Sequence, residues 1–141
     1  MHLKPQGVIA LWSQAMQEKD TELLDALLAR EFTQQHHGCP APEQNAREEW
    51  LEATRVLLES PRIEDLRFWL GGDFEVIPGQ SVGTWVLDGI RMRLSFDRFR
   101  TDGDLRRVEL EKTLRWLVRQ EHHPEPHFVL SRWEDWDTTE R

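Results

Sequence analysis

Residues 111–136, EKTLRWLVRQEHHPEPHFVLSRWEDW, decide the fold. Apolar side chains alternate with polar ones on either side of a proline-rich loop, the period-two pattern of a β-hairpin. On the outgoing strand Val108, Leu110, Leu114, Trp116 and Val118 share a face on which Lys112 is the exception. The other face carries Glu109, Glu111, Thr113, Arg115 and Arg119, and only Leu117 is apolar. On the return strand Phe128, Leu130 and Trp136 have one parity, Val129 and Trp133 the other. A four-residue loop, 123–126, pairs Trp116 with Trp133, whereas a five-residue loop, 122–126, pairs Val118 with Leu130 and makes the longer apolar face. A one-residue slip exchanges the faces, so both registers stay open. In the five-residue register Glu134 lies diagonal to Lys112, and in the other Asp135 does, so the lysine has an acid nearby either way. Both faces carry apolar residues, which an ordinary surface hairpin does not need.

Working outward, the chain before this hairpin changes period once. VIALWSQAM puts Val8, Leu11, Trp12, Ala15 and Met16 on one helical stripe. A second helix starts at an Asp20 cap and buries Leu23, Leu24, Leu27 and Leu28. EFTQQHH is a short extended piece and GCPAPEQ a loop. NAREEWLEATRVLLES is a third helix, capped by Asn45 with Glu48 three residues on. Its buried face is Trp50, Leu51, Thr54, Leu57 and Leu58, and Pro61 ends it. Turn dipeptides at 71–72, 78–79, 88–89 and 102–103 then divide the remainder into antiparallel strands near 62–70, 73–77, 81–87, 90–100, 105–120 and 126–136. Three helices followed by a meandering sheet with long final strands is an α+β domain in which helices cover one face of a curved sheet.

The 141 residues make one domain, 1–141, large enough to bury a full core. Cys39 is the single cysteine, so no internal disulfide forms, which fits a cytoplasmic protein. The N-terminal apolar run is too short for a signal peptide, and nowhere do eighteen apolar residues follow one another, so no membrane partner is expected. A net charge of −8 argues against a nucleic-acid partner; arginines are frequent between residues 90 and 119 but alternate with apolar residues and acids. The aromatics comprise seven Trp, six Phe and no Tyr.

EKDTELLDALLAREF, then AREEWLEA, then a long sheet ending in HFVLSRWEDW, together resemble the nuclear transport factor two-like superfamily, and the SnoaL-like branch in particular. The positions carrying the resemblance are Asp20, Leu24, Leu27, Phe32 and Glu49-Trp50, spread over nearly the whole chain. It implies a cone-shaped, cystatin-like fold: three N-terminal helices close a strongly bent, mostly antiparallel sheet around a ligand pocket. It also implies that the outer sheet face packs on a second subunit, which would explain a hairpin apolar on both faces. The expected assembly is a homodimer; Trp69, Trp85 and Leu87 have the parity opposite to Phe68, Val82 and Val86, so some of the three are expected on the dimer face. The scaffold hosts isomerases, hydrolases, dehydratases, cyclases, binders and assembly domains, so it leaves activity open.

The candidate ligand-binding residues are Trp12, Trp50, Lys112 and Trp116, for a small apolar or aromatic ligand. A lysine facing an apolar cone needs a partner or a wet pocket; otherwise it snorkels at the open end. Candidate proton-transfer groups are His36, His37 and Lys112; the resemblance places polar pocket residues near the end of the first strand. Neither HHGC (His36, His37, Cys39) nor HHPEPH (His122, His123, His127) has the paired spacing of a zinc site, so no metal or other cofactor is expected. Asp65, Asp73, Glu75, Asp88, Asp97 and Glu109 read as solvated or turn carboxylates. The tyrosine donor of ketosteroid-isomerase-like relatives is impossible here, and no phosphate loop or nucleophile elbow occurs. The readings, in order, are a small-molecule binder with a Trp-lined cone, an isomerase, cyclase or hydrolase using the same pocket, and an assembly domain whose cone is filled.

Overall fold

The computed structural model describes residues 4–38 and 43–137. Helices α1 (Gly7–Glu18), α2 (Thr21–Leu27) and α3 (Arg47–Glu59) pack on a curved seven-stranded sheet. The strands are β1 (Leu28–His36), β2 (Glu43–Ala46), β3 (Ile63–Gly71), β4 (Glu75–Pro78), β5 (Thr84–Phe99), β6 (Leu105–Glu121) and β7 (His127–Asp137). Their order is β2-β1-β7-β6-β5-β3, with β4 paired to β5. All pairings are antiparallel except β1 with β7.

α1 buries Val8, Ile9, Trp12, Ala15 and Met16, with Ile9 in the place expected of Leu11, which is exposed. The chain reverses at Lys19, which adopts a left-handed conformation (φ 55°), and Asp20 Oδ1 then accepts from the Leu23 amide at 3.0 Å to start α2. α3 begins one residue later than expected. Its cap is Ala46, whose amide donates to Glu49 Oε1 at 3.2 Å, while Asn45, the expected cap, sits in a strand, β2, that takes in the end of the expected loop and the start of the expected helix. Glycine and proline before this four-residue strand hid its pairing with β1.

Two bulges correct the expected parities. Asp88-Gly89 is an irregularity inside the continuous strand β5 rather than a turn between two strands, with Gly89 at φ 90°. The shift brings Leu87 into the core at 0 % exposure and packs Trp85 edge-on against Phe128 with ring centroids 5.3 Å apart, so neither contributes to an outer-face interface. Trp69 does lie on the outer face, 45 % exposed. In the final hairpin both proposed registers occur: Val118 pairs with Leu130 near the turn and Trp116 with Trp133 farther along. Ser131 takes up the extra residue, its Oγ donating to the Leu117 carbonyl at 3.1 Å. Consequently Leu130, Trp133 and Asp135 share the inner face, and Trp136 belongs to the outer one, opposite to the expectation from simple alternation.

Candidate functional site

The parallel pairing of β1 with β7 sets Gln34 beside Trp133 and His36 beside Asp135. These four side chains face the inside of the cone, as does Lys112 on β6, directly opposite Asp137. Asp135 is the centre of the group. Its side chain is 1 % exposed, and a carboxylate so far from water requires several donors. It has them: Oδ2 accepts from Gln34 Nε2 and from Trp133 Nε1, both at 2.9 Å. Oδ1 accepts from His36 Nδ1 and faces Lys112 Nζ at 3.4 Å.

The orientation of Gln34 is fixed in turn. Asn45 Nδ2 donates to its amide oxygen at 2.7 Å, which leaves the amide nitrogen to face Asp135. A hydrogen-bond relay therefore crosses β2, β1 and β7 and ends on the His36 imidazole. With Nδ1 committed to Asp135, the other nitrogen of neutral His36 is a lone-pair acceptor. That nitrogen, Nε2, lies 3.7 Å from Asp137 Oδ2, too far for a hydrogen bond, and the His36 side chain is 20 % exposed. Hence His36 is a half-buried imidazole at the end of β1 whose Nε2 is not used by Asp135.

Next to this group lies a cluster of tryptophans. Trp133 packs on Trp116, Trp12 and Trp50 with ring centroids 5.2, 5.5 and 5.1 Å apart, all at tilted angles. Trp12, Trp116 and Trp133 are buried and Trp50 is half-buried. The indole nitrogen of Trp133 is satisfied by Asp135, but those of Trp12, Trp50 and Trp116 are buried without a hydrogen-bond partner. No acceptor among the described residues reaches these three N–H groups, and an unpaired buried donor costs about 1–3 kcal/mol unless water or a ligand satisfies it.

Adjacent residues in a strand point to opposite faces, and His36 and His37 divide accordingly. His37 is on the outer face, where its ring stacks on Trp136 (4.5 Å, 9°) and its Nε2 meets Glu134 Oε1 at 3.0 Å. Arg115 completes that cluster: its Nε donates to Glu134 Oε2 at 3.0 Å and its guanidinium lies over the Trp136 ring. Burial pushes the Glu134 carboxyl up, but the bonds from Arg115 and His37 outweigh it and hold the group below its ordinary value. His37 is thus separated from the cone by the sheet itself. His122 and His123 lie in the hairpin loop, and His127 opens β7. Cys39 is outside the described residues, and among those described no group of three or more His, Cys, Asp or Glu side chains is arranged to hold a metal ion.

Of the residues chosen from sequence, His36, Lys112, Trp12, Trp50 and Trp116 all belong to one connected constellation. Sequence reasoning gave Asp135 only as an acid close to Lys112, and missed Gln34, Asn45 and Asp137. The available signal was Asp135 itself, an acid two residues beyond Trp133 and therefore on the same strand face.

No family model matches the sequence, and no curated protein matches it. Solved structures do. A ketosteroid isomerase-like protein from Erwinia carotovora atroseptica superposes with a TM-score of 0.60 at 12% identity, covering 95% of this chain and 93% of that one. A nuclear transport factor two-like protein with a cystatin-like fold from Novosphingobium aromaticivorans gives 0.58 at 16% identity, with 96% and 80% covered. The chain has the nuclear transport factor two-like fold. A conserved protein from Planctomyces limnophilus aligns similarly, at 0.63 and 15% identity over 93% and 91%. At such identities the likeness establishes the nuclear transport factor two-like architecture, and what the site does rests on this chain's own residues.

Proposed function

We propose that this chain is a SnoaL-like small-molecule-binding domain whose site is the mouth of the cone, with His36 and Lys112 as its polar end and the Trp50 and Trp133 rings as its aromatic wall. The observation that carries this reading is the buried Asp135 carboxylate, which gathers Gln34, Trp133, His36 and Lys112 at one point of an otherwise apolar interior. The unpaired indole donors support it further. No acceptor among the described residues reaches those three N–H groups, and acceptors from a ligand or from water would satisfy them.

A second reading, catalysis in the same mouth, is favoured by one specific feature. A carboxylate that holds imidazole Nδ1 and leaves Nε2 as acceptor is the arrangement a general base requires. Isomerisation, cyclisation or elimination, each started by proton removal, are the reaction types it suits.

The proposal includes a homodimer joined through the outer sheet face around Trp69, and a cytoplasmic location. Nucleic acid has no place in it, since Arg107, Arg115 and Arg119 are engaged by Asp65 and Asp97, by Glu134 and by Glu31. Native mass spectrometry of freshly purified protein tests the binding reading. The expected result is a retained small molecule whose occupancy falls in Lys112→Met while the fold is kept. Equal retention by wild type and Lys112→Met would remove Lys112 from the site.

A further inference from the structure

The immediate surroundings of His36 Nε2 restrict what it can meet. Asp137 Oδ2 is 3.7 Å away, and Asp137 is 39 % exposed, so its carboxylate borders the same opening. From another side the backbone at Gly38 passes close over the ring. A Cβ added there would stand 2.5 Å from Nε2 and 2.7 Å from Cδ2 of His36. Real Cβ atoms do not approach so closely, so any other residue at 38 must push the imidazole away from Asp135 or retreat itself. Absence of a side chain at 38 keeps the Nε2 edge of the ring accessible.

With His36 in its neutral form, Nε2 and the Asp137 carboxylate are two acceptors that lie side by side. Lys112 does not reverse this balance, because Asp135 Oδ1 already draws its ammonium at 3.4 Å and His36 shares that oxygen. Resting on the binding site proposed above, the geometry points to a ligand that presents a hydrogen-bond donor, a hydroxyl or amino group on a flat apolar body, to His36 Nε2 and Asp137. A hydroxyl gives its hydrogen to Nε2, and Asp137 favours the positive end of the donor's dipole. A ligand leading with a carboxylate would bring a second negative charge beside Asp137 and a lone pair against the Nε2 lone pair, and is rejected for both reasons. A body with no polar group leaves both acceptors to be desolvated unpaired, which is how a hydrogen-bonding site rejects an analogue lacking the donor.

Three probes of one shape separate these cases: 2-naphthol, naphthalene and 2-naphthoate, each titrated into the protein while the His36 ring and the Trp50 and Trp133 indole resonances are followed by NMR. The expected result is that 2-naphthol binds about tenfold or more tightly than either of the others. Asp137→Asn, which removes the charge but keeps the size, should reduce the discrimination against 2-naphthoate. Gly38→Ala should shift the His36 signals and weaken 2-naphthol about tenfold without changing the far-ultraviolet circular dichroism. If 2-naphthoate binds as tightly as 2-naphthol, or naphthalene does, the donor assignment is overturned while a site at the mouth stands. If none of the three perturbs those resonances, the site itself is overturned and the assignment with it.

Discussion

Asp135 shows how one residue type at one parity can specify a site. Buried at 1 % exposure, it is satisfied by donors from β1, β6 and β7, and none of them is near it in sequence except Trp133. The sequence made Lys112 conspicuous because it breaks an apolar row. Asp135 was inconspicuous because its face depended on an unread bulge at Ser131. On the opposite face Glu134 gives a prediction with a definite sign. Its carboxyl is held below the ordinary glutamate value of 4.5, so the stability it contributes is fully present above that pH and is lost as pH falls through the lower, folded-state value. Urea unfolding of wild type and Glu134→Gln should accordingly differ by about 1 kcal/mol near neutrality. The gap should close as the pH drops below 4.5. A gap independent of pH would assign the effect to packing rather than charge.

At the scale of elements, the helices were legible because their signals are local. The Asp20 cap and the apolar stripe of α1 are read from neighbouring residues, and Leu11 exchanging with Ile9 is a small rotation of that stripe. The final hairpin was equally legible, and so were the bounds of β6 and β7 to within a residue, whereas β2 was missed and β5 was read as two strands. The parallel contact of β1 with β7 was not legible, since no turn announces a pairing between Gln34 and Trp133 nearly a hundred residues apart. Nor were the bulges, each of which reverses the parity of everything beyond it. Gly89 makes the point testable. It adopts φ 90°, and its nearest non-neighbouring atoms would lie 3.9 Å from an added Cβ, so the strain on substitution comes from the backbone and not from crowding. Gly89→Ala should destabilise the fold by about 1–2 kcal/mol, measured by urea unfolding. A neutral substitution would mean that the bulge tolerates another conformation.

For the whole molecule, the sheet separates two chemistries. The inner face carries the Trp cluster and the His36 constellation under the helices. The outer face carries ion pairs interrupted by Trp69, whose ring lies beneath the Arg93 guanidinium at 5.4 Å and is 45 % exposed. Isolated exposed apolar residues are common, but a tryptophan on the face that the dimer proposal assigns to a second copy is the natural place to perturb it. Trp69→Glu should move the protein from dimer to monomer in native mass spectrometry with its circular dichroism unchanged. An unaltered dimer would place the interface elsewhere.

Asp135 holds the His36 imidazole through Nδ1, which leaves Nε2 as the acceptor of the neutral ring. Long-range ¹H–¹⁵N NMR of the histidine side chains reads this directly, with Asp135→Asn identifying the signal. Neutral His36 should carry its proton on Nδ1, and the preference should be lost in the variant. A proton on Nε2 in the wild-type protein would contradict this assignment.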